Sequence, residues 1–308
     1  MGGGGGYFSG RRSDIERRVE EVRAGAAQDD AEYDVATNDL LSGLLSEFND
    51  RDVDGIKEHL DELVEAISSE GEKLVELRFG GSIAKHTYID GLSDVDALVF
   101  LDGTDLAEAG PEAAKERLYS LLSERLPDVP VRMGDLAVTV EYPDAEVQLL
   151  PAIRDGERVR ISAESGDRWS LVDPKGFAEK LTEVNQERGG KVVPTIKLAK
   201  ALISQLPEPQ RLSGYHTESL AVDVFKGYEG RLSPRDMLKY FFRTGAERVL
   251  SPIKDSTGQS IHVDDSLGEA GSVQRQVVRS AFTRIARRMD LADIRKRTED
   301  WEHLFGEA

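Results

Sequence analysis

Gly80-Gly81-Ser82-Ile83-Ala84-Lys85-His86-Thr87-Tyr88-Ile89-Asp90-Gly91-Leu92-Ser93-Asp94-Val95-Asp96-Ala97-Leu98-Val99-Phe100-Leu101 is the stretch on which the rest of the chain turns. Gly80, Gly81 and Ser82 close a short apolar run, Leu77 to Phe79. Small residues at a strand end let backbone N–H groups approach an anion, as a phosphate cradle requires. Twelve residues beyond Ser82, Asp94-Val95-Asp96 opens a second apolar run, Ala97 to Leu101. On a strand, residues i and i+2 share a face. Asp94 and Asp96 therefore form a carboxylate pair with Val95 turned to the core. Two anions that close repel unless a cation lies between them. A phosphate cradle followed by paired carboxylates is the requirement of a two-metal phosphoryl-transfer site.

The order and spacing of these two halves resemble the nucleotidyltransferase signature of the DNA polymerase β superfamily. Gly81-Ser82 through Thr87, with Ser93-Asp94-Val95-Asp96, are most similar to 2′-5′-oligoadenylate synthetases and the bacterial CD-NTases, relatives of cGAS. The resemblance implies an α+β, bilobal polymerase-β-like fold: a mixed-sheet lobe, a helical lobe and a central cleft. It implies Gly81 and Ser82 on the β- and γ-phosphates, and Asp94 and Asp96 on Mg²⁺ or Mn²⁺. These families place a third acidic residue on a later strand, three positions before a Pro-Ala pair. Here that pair is Pro151-Ala152, and the matching residue is Gln148. A glutamine can offer a carbonyl oxygen to a metal but cannot serve as base for an attacking hydroxyl. Three readings follow: a substitution that traps substrate, a natural member that binds without turnover, or replacement by Glu146, two residues earlier on the same strand face.

Further along, Pro194-Thr195-Ile196-Lys197-Leu198-Ala199-Lys200 reads as a helix with proline near its start. Lys197 and Lys200 are i, i+3 neighbours. By resemblance Lys200 holds the donor triphosphate, and Lys197 is a nearby basic position. Ser213-Gly214-Tyr215-His216-Thr217-Glu218 matches a segment in which serine contacts phosphate or base and an aromatic ring stacks on the base. Those roles fall to Ser213 and Tyr215, while Glu218 fixes the lobe.

The pattern divides the chain into a Gly-rich tail (1–13), a nucleotidyltransferase core with N-terminal helices (14–172) and a helical lobe (173–308). Ile56, Leu60, Leu63, Val64 and Ile67 recur at helical spacing and predict a helix over 54–69. Strands are expected at 75–79, 131–132, 137–142, 145–150 and 158–161, with residues 104–109 a loop. Helices are expected at 13–24, 38–48, 111–126, 174–187, 191–205, 217–227, 233–245 and 272–288.

Composition excludes several classes. The chain has 308 residues, 39% of them hydrophobic, which suffices for a globular core. No run of 18 apolar residues predicts a membrane span, and no apolar leader predicts secretion. With no cysteine, disulfides and thiolate chemistry are absent. The net charge of −18 argues against a broad grip on nucleic acid, which needs a basic face. The expected partners are nucleoside triphosphates and a separate effector protein, in the cytoplasm. The resemblance implies synthesis of a cyclic or linear oligonucleotide signal in bacterial antiphage defence. Two other readings stay open: a polymer-extending enzyme such as a CCA-adding one, and a non-catalytic nucleotide sensor, which Gln148 favours.

Overall fold

The computed structural model describes residues 7–49, 53–68, 76–79, 87, 95–101, 105–143, 145–156, 158–162, 168–254 and 264–306. The elements run α1 (Tyr7–Glu47), α2 (Val53–Ile67), β1 (Glu76–Phe79), β2 (Val95–Phe100), α3 (Asp105–Ala109), α4 (Pro111–Arg125), β3 (Val131–Met133), β4 (Val138–Glu141), β5 (Glu146–Asp155), β6 (Arg158–Ser162), β7 (Trp169–Val172), α5 (Pro174–Glu187), α6 (Val192–Ser204), α7 (Gly214–Phe225), α8 (Pro234–Arg248), α9 (Val273–Arg295) and α10 (Thr298–Phe305). Among the described residues no helix is long and apolar enough to cross a membrane.

The sheet has the order β1-β2-β5-β4-β3, with β6 paired to the far half of β5 and β7 to β6. β2 and β5 are parallel, and every other pairing is antiparallel. Alternation along β5 builds the core. Val147 and Leu149 are fully buried, while Glu146, Gln148 and Leu150 take the opposite, more accessible face. The buried face meets α2 and α4 through Leu63, Leu118 and Leu122. A strand ending at Leu150 was the natural expectation, because proline removes a ladder donor. The strand instead continues through Pro151. That residue lies between the β4 pairing, which ends at Leu149, and the β6 pairing, which starts at Ala152. The missing N–H there costs neither antiparallel ladder a bond.

A second apolar cluster fills the helical lobe, from Phe177 through Phe241, Phe242 and Phe282 to Trp301. It also takes in Tyr33 and Leu41 of α1. The N-terminal helix thus packs on the helical lobe, whereas sequence reading grouped it with the sheet. The two helices expected at 13–24 and 38–48 are one continuous helix, and residues 7–13 of the expected tail belong to it. The residues between them, Gly25 to Thr37, contain no proline, so no helix hydrogen-bond donor is missing there. Residues 105–109, expected as loop, form a short helix, and β7 went unpredicted.

Candidate active site

The sheet half of the site is set by strand register. On β2, Asp96 pairs with Gln148 on β5, and Val95 pairs with Val147. Gln148 also pairs with Thr139 on β4, and Thr139 with Arg132 on β3. Register partners occupy the same face of a sheet. One row thus crosses the face opposite the α2/α4 core, running Asp96, Gln148, Thr139, Arg132. Gln148 is half-buried there. Gly81, Ser82 and Asp94 lie outside the described residues.

Glu146, the alternative third carboxylate, has another partner. It accepts a hydrogen bond from Arg132 Nη2 at 3.0 Å, and the same guanidinium pairs with Glu141. Glu146 is also one full pleat repeat, about 6–7 Å, before Gln148 along β5. Among the described residues no group of three or more His, Cys, Asp or Glu side chains could hold a metal ion. The donors in register, one carboxylate residue and one amide, are hard oxygen ligands of the kind magnesium prefers. They fit a metal that accompanies a nucleotide; the position that would complete a second metal carries no charge.

The helical half converges on Lys200. Asn185 Oδ1 accepts hydrogen bonds from the backbone N–H of Val192 and Val193, both 3.0 Å, and so starts α6. Along α6, Lys200 points its Nζ at Glu218 Oε1, 2.7 Å away on α7. The same ammonium donates to Thr87 Oγ1 at 3.3 Å and to Thr87 O at 3.2 Å. Thr87 Oγ1 in turn donates to Glu218 at 2.5 Å. Thr87 and Glu218 are essentially inaccessible, and the Lys200 side chain is 10% exposed. This knot ties Thr87, which lies between β1 and β2 in the chain, to α6 and α7.

Above the knot, α7 begins. Ser213 is its N-cap, with Oγ accepting from His216 N at 3.2 Å. A Cβ built on Gly214 would stand 3.5 Å from Lys200 Nζ. The helix N-terminus and the lysine therefore bring positive potential to one place, and Glu218 balances it from below. Tyr215, next in sequence, is 39% exposed and braced edge-on by buried Phe177, ring centroids 5.0 Å apart. Lys197 is placed differently: it is buried, and its Nζ bonds Asn49 at the end of α1. The i, i+3 spacing holds both lysines on neighbouring rows; Lys200 bonds Thr87 and lies beside Gly214. Sequence reading gave Glu218 to the lobe in general and missed that it pairs with Lys200; a buried lysine and glutamate on successive helices, 18 residues apart, leave no periodic signal.

The mixed sheet that pairs Asp96 with Gln148, followed by the helices that carry Lys200 and Glu218, gives the α+β arrangement of a polymerase-β-like fold. Residues 37–185 match the profile of the Second Messenger Oligonucleotide or Dinucleotide Synthetase domain. Solved structures share the fold. CdnC of Escherichia coli MS115-1, solved with ATP, is 16% identical, with 85% of this chain and 92% of that chain covered, TM-score 0.61. The CD-NTase CdnG of Bradyrhizobium diazoefficiens, solved with GTP, is 18% identical over 81% and 89%, TM-score 0.63. E. coli DncV, in a 3′-deoxy GTP bound form, is 14% identical over 94% and 90%, TM-score 0.60. A comparison with curated proteins finds no significant match. Residues 37–185 are thus similar to the oligonucleotide and dinucleotide synthetase domain, and the chain as a whole shares the fold of these CD-NTase structures.

Proposed function

We propose that this chain binds nucleoside triphosphates in the cleft between sheet and helices as a CD-NTase of bacterial antiphage defence, and that Gln148 withholds turnover. The reaction of the site is attack of a hydroxyl on the α-phosphate of a nucleoside triphosphate, with pyrophosphate leaving. Linear or cyclic oligonucleotide signals are its products. Gly81 and Ser82 cradle the β- and γ-phosphates, Lys200 neutralises the triphosphate beside the N-terminus of α7, and Ser213 and Tyr215 receive phosphate and base. Lys197, the nearby basic position, is tied to Asn49 at the end of α1. Asp94 and Asp96 would hold Mg²⁺ or Mn²⁺, which supplies charge neutralisation and in-line alignment. The reaction takes place in the cytoplasm, where its substrates are, and a separate effector protein reads the product. CdnC of E. coli MS115-1 has been solved in complex with a HORMA protein, which supports partner proteins as a feature of such enzymes.

The pairing of Asp96 with Gln148 carries this reading. It supports Gln148, and not Glu146, as occupant of the third-ligand position. The neutral amide gives no base for the attacking hydroxyl and leaves the nucleophile's metal short of a charge. The same observation keeps a second reading, a nucleotide sensor that never turns over. Incubating Gln148→Asp with mixed NTPs and Mg²⁺, then resolving products by mass spectrometry, separates the possibilities. Short cyclic or linear oligonucleotides support the proposal; long polymer, or bound nucleotide without product, overturns it.

A further inference from the structure

Helix α1 outruns the body it packs on. Its C-terminal part is anchored through Tyr33, Thr37 and Leu41, all buried and facing α6, α8 and α10. Arg235 bridges Asp34 and Asp293 at 2.8 and 3.0 Å, and Trp301 donates to Tyr33 Oη at 2.9 Å. Residues 16–32, by contrast, are exposed without exception. The exposed stretch from Glu16 to Glu32 is an arm of about 26 Å. An unpacked helix of this length is marginal in water. The glycine at 25 makes it more so, by about 1 kcal/mol.

The helix carries a stripe. Ile15, Val19, Val22 and Ala26 recur at alternating spacings of four and three, the seam of a coiled coil. Val19 is 44% and Val22 72% exposed. Charge runs unevenly along the same helix. Residues 7–23 hold five arginines against four acidic residues, while 24–32 hold three acidic residues and no basic one.

We propose that this arm pairs antiparallel with the arm of a second copy of the chain. Val19 then faces Val22 of the second copy, and Ile15 faces Ala26, across a two-fold axis. Arg12 takes the position opposite Asp29, and the flanks set Glu16 beside Arg23 and Arg11 beside Glu32. Every one of these charge pairs is attractive and occurs twice. A parallel pairing would set Arg18 beside Arg23 and is disfavoured. The lengths agree as well: the start of one helix falls opposite residues 33–34 of the other, where the body begins. Small residues at 24–27 let the two backbones close, and the seam, only four apolar positions long, sets a reversible dimer.

Sedimentation equilibrium of the full chain across a micromolar concentration series tests this. The expected mass rises towards twice 34.0 kDa. Val19→Glu with Val22→Glu should hold it at the monomer, with unchanged nucleotide binding and melting temperature. Glu16→Arg alone and Arg23→Glu alone should each be monomeric, and an equimolar mixture of the two should dimerise. A monomer at every concentration, or a dimer indifferent to the valine changes, overturns the pairing. A mixture that stays monomeric overturns its antiparallel register.

Discussion

Gln148 stands opposite Asp96 in the parallel ladder of β2 and β5. Register fixes this independently of any side-chain detail, because a one-residue slip would move Val147 and Leu149 out of the core. Under the proposed function, the chemistry at position 148 would decide whether the site can hold two metals or one.

Lys200 and Glu218 should prove separable into binding and stability. Lys200→Met leaves Glu218 buried without its cation, which costs about 3 kcal/mol of stability, and it weakens nucleoside triphosphate binding at least tenfold. Adding Glu218→Leu should restore much of the stability and none of the binding. Chemical denaturation and equilibrium titration with a fluorescent ATP analogue read the two effects.

Tyr215 offers an exposed ring braced by Phe177. Base stacking on an aromatic side chain is worth about 1–3 kcal/mol. Tyr215→Ala is expected to weaken nucleotide binding by that amount in the same titration, and Tyr215→Phe to leave it near the original value. Equal losses in both variants would assign the affinity to the hydroxyl.

Acid should release the anchor of α1 before the sheet lobe fails. Burial alone would push the carboxyls of Asp34 and Asp293 up. Hydrogen bonds from Arg231 and Arg235 to Asp34, and from Arg235 and Lys239 to Asp293, override it and hold both below the usual carboxylate range. A depressed folded-state value means stability that is full above the unfolded carboxylate range and lost as pH falls through the folded values. Melting temperature against pH should drop below about pH 4. Asp293→Asn should flatten that drop and cost about 2 kcal/mol at neutral pH.

Much of this was legible in the sequence because it is periodic or local. The apolar spacing from Ile56 to Ile67 marked α2, and the Asp94-Val95-Asp96 motif pointed to the strand observed from Val95. The expected start of α5 at Pro174 agrees with the structure, whereas α7 begins at Gly214, three residues before the expected Thr217, because the Ser213 side chain caps it. The continuity of α1 escaped because Ala24 to Asp30 shows no amphipathic repeat, yet the long helix is held from its far end by Tyr33 and Leu41. The partner of Lys197 escaped for a related reason: Asn49 is 148 residues away and hydrogen-bonds through one atom. Pro151 hid the second half of β5, since its tolerance depends on which neighbour strand has already left.

The most direct test is pyrophosphate release from mixed nucleoside triphosphates with Mg²⁺ or Mn²⁺, measured side by side for this chain, Gln148→Asp and Glu146→Gln. Gln148→Asp alone is expected to turn over, while the original chain binds triphosphate without releasing pyrophosphate. Turnover by the original chain that Glu146→Gln abolishes would contradict this expectation, and would move the third carboxylate to the residue now paired with Arg132.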